Sequence, residues 1–163
     1  MMVELHRPIR TERVGAAGLD VTVEANAAEC AALALRMQVP AVLSLRCRFH
    51  LVRLSGETLE ARGHLHAQVV QTCVVSLDEF TTAVDETFQV HFVPAGTETD
   101  DPDPESVDEI GYANDVLDLG EAAAEQLGLA LDPYPRRPDA ELPAFEAEEE
   151  QGPFAALRGL PRH

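Results

Sequence analysis

A chain of 163 residues suits one domain and is long enough to bury roughly two thirds of its unfolded surface. With 45% hydrophobic and 25% charged residues, wholesale disorder is excluded. All twelve basic residues are arginine: eight stand against seven acids over residues 1–62, and four against twenty-two over 63–163, giving the net charge of −17. Charge of that size repels phosphate beyond the Debye length of about 8 Å, so tight nonspecific binding to DNA or RNA is disfavoured.

No run of about 18 apolar residues is present to span a membrane, and the opening MMVELHRPIR lacks the apolar stretch of a signal peptide. A cytoplasmic location is therefore expected. Cys30, Cys47 and Cys73 are odd in number and widely spaced, which fits reduced thiols better than a disulfide framework or a zinc knuckle.

Along the chain, Val3, Leu5, Pro8 and Ile9 predict a short first strand, with Arg7, Arg10 and Arg13 at its margin. Leu19, Val21 and Val23 alternate with Asp20, Thr22 and Glu24, the period of a half-buried strand. Asn26 followed by Glu29 reads as a capping box opening a helix to Met37. Cys30, Leu33, Ala34 and Met37 form its inward face, and Pro40 ends it. Residues 41–54 alternate almost without a break: Val42, Ser44, Arg46, Arg48, His50 and Val52 on one face, Leu43, Leu45, Cys47, Phe49, Leu51 and Arg53 on the other. Gly56 and Glu57 mark a turn, residues 58–72 the return strand, and residues 81–93 a third long strand.

The acids between Pro94 and Tyr112 predict a mobile acidic loop over 94–112. Asp118 is the natural N-cap of a second helix over 119–131, which Pro133, Pro135 and Pro138 stop. The expected fold is α+β: an antiparallel, strongly curled or open barrel-like sheet with two main helices, because short sequential connections favour antiparallel neighbours. One domain is expected over residues 1–138. Residues 139–163 read as an acidic flexible tail ending in a hydrophobic hook of Phe154, Leu157 and Leu160.

No catalytic constellation and no nucleotide-binding glycine motif occurs, so neither catalytic residues nor a cofactor is assigned. His64 and His66, at i and i+2 on one strand face with His50 on the paired strand, have a spacing that places two imidazoles on a metal. A solvated hairpin face gives the same pattern, and on the sequence alone no metal ligand is assigned. Arg46, Arg48 and His50, with Arg7, Arg10 and Arg13, read either as a phosphate-binding patch or as ion-pair partners of the abundant acids. Aromatic residues are too few for a base-stacking sheet.

The order of these elements, together with Gln71-Thr72-Cys73-Val74-Val75-Ser76-Leu77-Asp78, Phe88-x-Val90-x-Phe92, Asp118-Leu119-Gly120-Glu121, Glu125-Gln126-Leu127 and Leu131-Asp132-Pro133-Tyr134-Pro135-Arg136, resembles the bacterial YceD family of large ribosomal RNA subunit accumulation proteins. The terminal Phe154-Ala155-Ala156-Leu157-x-x-Leu160 looks like the tail of alphaproteobacterial members. Where many members carry Cys-x-x-Cys, this chain has Cys73 and Ser76. The resemblance implies a noncatalytic ribosome-biogenesis role in synthesis, processing or accumulation of large-subunit (23S) ribosomal RNA. Its expected partners are that RNA or its precursor, or a basic large-subunit ribosomal protein or assembly particle. The alternatives are a metal- or thiol-dependent RNA-processing enzyme using Cys73, His64 and His66, and a generic protein-binding module.

Overall fold

The computed structural model describes residues 4–98 and 106–137. Strands β1 (Pro8–Arg10), β2 (Leu19–Glu24), β3 (Ala41–Ser55), β4 (Thr58–Thr72), β5 (Glu79–Pro94), β6 (Asp108–Tyr112) and β7 (Val116–Asp118) alternate with helices α1 (Ala27–Met37) and α2 (Leu119–Ala130). Five strands form one sheet in the order β2-β3-β4-β5-β6, and β1 pairs with β7 in a separate two-stranded ribbon. The α+β class therefore stands: β2 to β5 and both helices lie where residue periodicity put them, whereas the first strand, expected over residues 3–9, is Pro8–Arg10, and β6 and β7 were not expected.

The sheet is neither closed nor strongly curled, which corrects the barrel-like expectation. Strands β2 and β6 stay at opposite edges. Instead, α1 packs on β3 and α2 on β4 and β5, so the apolar face is covered by helices and closure is not needed to bury it. Leu33 of α1 and Leu127 of α2 are fully buried there with Leu51, Leu59, Leu65 and Phe92 of the sheet.

A second correction concerns the acidic loop. Residues 108–112 form β6, parallel to β5 with Phe92 opposite Ile110 and Pro94 opposite Tyr112. The connection over 95–107 reaches the dozen or so residues that a parallel return requires. Pairing, with burial of Tyr112 and donation by its hydroxyl to the Glu57 carbonyl, outweighs the local excess of acids. Residues 99–105 of the expected loop, Val3 and the whole 139–163 tail with its hook lie outside the described residues.

The register of β3 with β4 shifts twice, between Val42 and Ser44 and between Arg53 and Ser55. The first shift turns Val42 inward and leaves Leu43 54% exposed, the reverse of strict period two, because a bulge adds one unpaired residue. Helix α1 begins as expected: the Asn26 side chain accepts from the Glu29 amide at 2.8 Å, and the Glu29 carboxylate accepts from the Asn26 amide at 2.9 Å. It ends at Gln38 in the left-handed region, whose N–H donates back to Ala34 and Leu35.

The corner leading into α2 explains a four-residue motif. Asp118 caps the amides of Gly120 and Glu121, and also accepts from the Arg7 amide at 2.9 Å and meets His6 Nδ1 at 2.5 Å. Burial works to raise this carboxyl, but the Arg7 amide, His6 and the Glu121 amide outweigh it and hold it below its usual range. Leu119 is fully buried, and Glu121 pairs with Arg36 of α1 at 2.8 Å. Gly120 lets the N-terminal segment cross the helix closely: a Cβ there would lie 2.5 Å from the Leu5 carbonyl oxygen and 2.9 Å from the Arg7 nitrogen. Both obstacles are backbone and cannot rotate away.

Gly120→Ala is therefore expected to destabilise the protein by about 1–3 kcal/mol in urea unfolding. Gly128→Ala, in the same helix but meeting only the Met37 thioether at 3.4 Å, should be neutral or stabilising, since alanine is the better helix former. Equal losses at both positions would show that the close crossing does not matter.

Candidate functional site: the polar face of the sheet

Because β2, β3, β4 and β5 pair antiparallel in fixed register, their outward residues line up in rows across the sheet. The rows read Glu24–Arg46–His66–Asp85, Thr22–Arg48–His64–Thr87 and Asp20–His50–Arg62–Gln89, with Val52–Glu60–His91 at the end. The middle of this face is a shallow open groove of about 810 Å³, lined by Arg48, His50, Arg62, His64, Thr87 and Gln89. Behind it, Phe49 and Phe88 meet edge to face at 5.7 Å and 82° across Gly63, where a Cβ would strike the Phe88 ring.

Most charges on the face are already engaged. Arg46 Nε lies 3.3 Å from Glu24, Arg62 Nε 2.9 Å from Glu60, and His50 Nδ1 2.6 Å from Asp20. Glu60, nearly buried, also accepts from Gln89 at 2.9 Å. Exposed Arg48 has no acid partner among the described residues. The four rows hold three arginines and four acids, so the face carries no positive excess.

The structure brings together only part of the sequence-predicted arginine cluster. Arg7 comes near Arg46 through Glu24, donating to its carbonyl at 2.7 Å, but its guanidinium is taken up by Glu29 in a two-pronged pair with both contacts at 2.7 Å. That pair lifts the Arg7 pKa and depresses the Glu29 carboxyl; the hydrogen bonds between them are the leading cause in both. Arg10 pairs with Glu12. Arg10 and Arg13 flank Thr11, whose carbonyl accepts from Arg53 at 2.8 Å, about 16 Å along β3 from Arg48. They do not join the groove. His50, diagonal to His64 and directly opposite Arg62, is engaged by Asp20 instead.

Register adds a residue that the sequence reading did not assign. Asp85 stands opposite His66 and diagonal to His64. His64 Nε2 lies 2.5 Å from Asp85 Oδ1, His66 Nδ1 lies 3.9 Å from Oδ2, and the two imidazole centroids are 4.0 Å apart. Hydrogen bonding from His64 is the leading cause that holds the Asp85 carboxyl below its usual range; desolvation opposes it, and attraction to His66 and His64 adds to it.

A second group of motif residues lies at the far end of β4. Cys73 is buried at a tight turn closed by Leu77 N–H to Cys73 O and Cys73 N–H to Asp78 O, both 2.8 Å, with Leu77 in the left-handed region. The segment after α2 clasps this turn: the Val74 amide donates to the Pro135 carbonyl at 2.9 Å, Gln71 to the Asp132 carbonyl at 3.3 Å, and Arg137 pairs with Asp78 at 3.3 Å. Pro133 and Pro135 hold that segment extended and leave Tyr134 largely exposed beside it. Arg136 is exposed there, while Leu127 is core and Glu125 is exposed on α2, its carboxyl raised chiefly by desolvation. The Cys73 thiol is brought down to about 6, first by its hydrogen bond with Ser76 and then, against desolvation, by the amides of Arg137, Ser76 and Val75. Cys47, buried with only the His64 amide acting on its sulfur, is instead pushed up to about 12 by desolvation, which outweighs that one donor.

A family model described as large ribosomal RNA subunit accumulation protein YceD matches residues 61–160, which is 100 of the 163 residues. Comparisons with curated proteins and with solved structures give no match. Among the described residues, no helix is long and apolar enough to cross a membrane.

The Cys73 environment gives a direct titration. Thiolate absorbance near 240 nm, taken as the difference between the protein and Cys73→Ser, should rise with a midpoint near pH 6, and Ser76→Ala should move that midpoint upward. The folded pKa lies below the ordinary value of 9, so between these limits the unfolded chain binds the extra proton and the thiolate's contribution to stability grows with pH. A midpoint at or above 8 would mean that these donors do not act on the sulfur.

Proposed function

Because the chain belongs to the YceD family of large ribosomal RNA subunit accumulation proteins, we propose that it is a noncatalytic ribosome-biogenesis factor supporting synthesis, processing or accumulation of 23S ribosomal RNA. It acts by holding a basic large-subunit ribosomal protein. The observation behind the choice of partner is electrostatic. The chain carries −17, and the strand face that holds its arginine cluster offers three arginines against four acids. A surface of that kind attracts cationic polypeptide and repels a phosphate backbone at long range.

A second reading has one specific observation in its favour. Arg48 is exposed, faces an open groove and has no acid partner among the described residues, so it is available to a single RNA phosphate. One such contact positions a partner without supplying nonspecific affinity.

Depletion in cells is expected to lower mature large-subunit RNA relative to small-subunit RNA. In-cell crosslinking should recover a basic large-subunit ribosomal protein whose association weakens as salt rises. Unchanged large-subunit RNA and precursors after depletion would falsify the biogenesis role. Recovery of RNA alone, lost on Arg48→Glu, would transfer the assignment to the second reading.

A further inference from the structure

We propose that His64, His66 and Asp85 form a three-ligand site for a first-row divalent cation, zinc foremost, on the polar face of the sheet. This assignment stands on the side-chain cluster alone and is independent of the ribosomal reading.

One donor atom from each of the three residues lies within 4.8 Å of the other two. The donors are distinct in kind and direction: His64 offers Nε2, His66 offers Nδ1, and both are aimed at the two oxygens of one carboxylate. Two imidazoles and a carboxylate match the preference of Zn²⁺ and its neighbours, whereas Ca²⁺ and Mg²⁺ ask for oxygen-rich shells. In a tetrahedral zinc site with bonds of about 2.0–2.1 Å, donor atoms stand about 3.3 Å apart. Reaching that geometry needs the 2.5 Å His64–Asp85 contact to open by about 0.8 Å and donor atoms now within 4.8 Å of one another to close by no more than about 1.5 Å. Exposed side chains on a fixed strand ladder achieve this by small torsions.

An ordinary ion-pair reading explains less. One carboxylate serves two imidazoles only 4.0 Å apart, and charging both rings would set two cations against each other. A divalent ion gives both rings and the carboxylate one common partner. The backbone beneath is central sheet, with β4 held between β3 and β5, so the three Cβ positions are fixed before the ion arrives. Arg46, opposite His66, is offset by Glu24 at 3.3 Å. Arg48, opposite His64, has no such offset. Its positive charge opposes the cation and favours an anionic oxygen at the open coordination position, the place left when only three protein ligands are present.

The test is titration of tag-free protein with Co²⁺ and Zn²⁺. A single equivalent of Co²⁺ should produce visible d–d absorption that Zn²⁺ displaces, and Zn²⁺ should raise the melting temperature. His64→Ala, His66→Ala and Asp85→Asn should each weaken binding by at least about 10–100-fold, the range that outer-shell changes alone produce. All three sit on the solvent face, and unfolding of the metal-free variants followed by circular dichroism checks that they fold. His50→Ala, in the same groove but outside the cluster, should bind as the parent does. Absence of stoichiometric Co²⁺ binding, or equal binding by the parent and the three folded variants, overturns the proposal.

Discussion

The constraint on which the molecule depends is the register of β3, β4 and β5. Side chains alternate along a strand with a period of two, so one residue of slip would send Leu65, Leu51 and Phe92 into solvent and bury Arg62, His64 and His66 against α1 and α2. Each exchange of a buried leucine for an exposed one forfeits roughly 1.5–3 kcal/mol, and burying unpaired charge costs more. The slipped form is therefore inaccessible. Gly63 adds a steric lock, because the rings of Phe49 and Phe88 meet across the one position in their row that has no Cβ. That same register composes the polar face: it opposes Arg46 to Glu24 and His66 to Asp85, and it places His50 between Asp20 and Arg62.

The residues that carry the family resemblance have mostly structural work in this fold. Asp118 ties the N-terminal segment at His6 and Arg7 to the start of α2 through one carboxylate, Leu119 and Leu127 fill the core, and Gly120 admits the crossing of residues 5–7. Pro133 and Pro135 shape the strap that closes over the Cys73 turn. Ser76, standing at the second position of the Cys-x-x-Cys pattern, bonds through its amide to the Cys73 sulfur at 3.4 Å. The turn thus keeps amide donors aimed at sulfur even where a second cysteine is missing, and that accounts for a depressed thiol in a buried position. Tyr134 and Leu77 are large hydrophobic residues of these motifs that stay exposed, 73% and 76% accessible, and they need no role in folding.

Much of the fold was legible because its signals are local. The capping box at Asn26 and Glu29, the cap at Asp118, and the alternation through β3, β4 and β5 each depend on residues a few positions apart. What escaped was set by distance in sequence. Strand β6 is strand only because β5 pairs with it after a long connection, and its five residues, with Asp108 and Glu109 among them, look like loop when read alone. The bulge at Val42–Ser44 is invisible in a regular hydrophobic run, since Val42 and Leu43 are equally apolar. Sheet closure depends on whether helices cover the apolar face, and no strand pattern states that. In the candidate site, Arg46, Arg48, His64 and His66 were placed on a polar face by period two. Asp85 was missed because β4 and β5 are joined by residues 73–78 and not by a two-residue turn, leaving the cross-strand partner unspecified.

The electrostatic reading of function does not require the segments outside the described residues. Residues 99–105 and 138–163 contain ten of the twenty-nine acids and two of the twelve arginines, a net of −8. The described residues therefore retain nineteen acids against ten arginines, a net of −9. Several of those arginines are internally neutralised: Arg7 by Glu29, Arg36 by Glu121, Arg46 by Glu24 and Arg62 by Glu60. Cations so paired contribute little attraction to a distant phosphate, whereas the unpaired acids add to a field that favours basic chains. The folded body is thus anionic in its own right. The further acids at 99–105 and 138–163 strengthen a preference that the body already has.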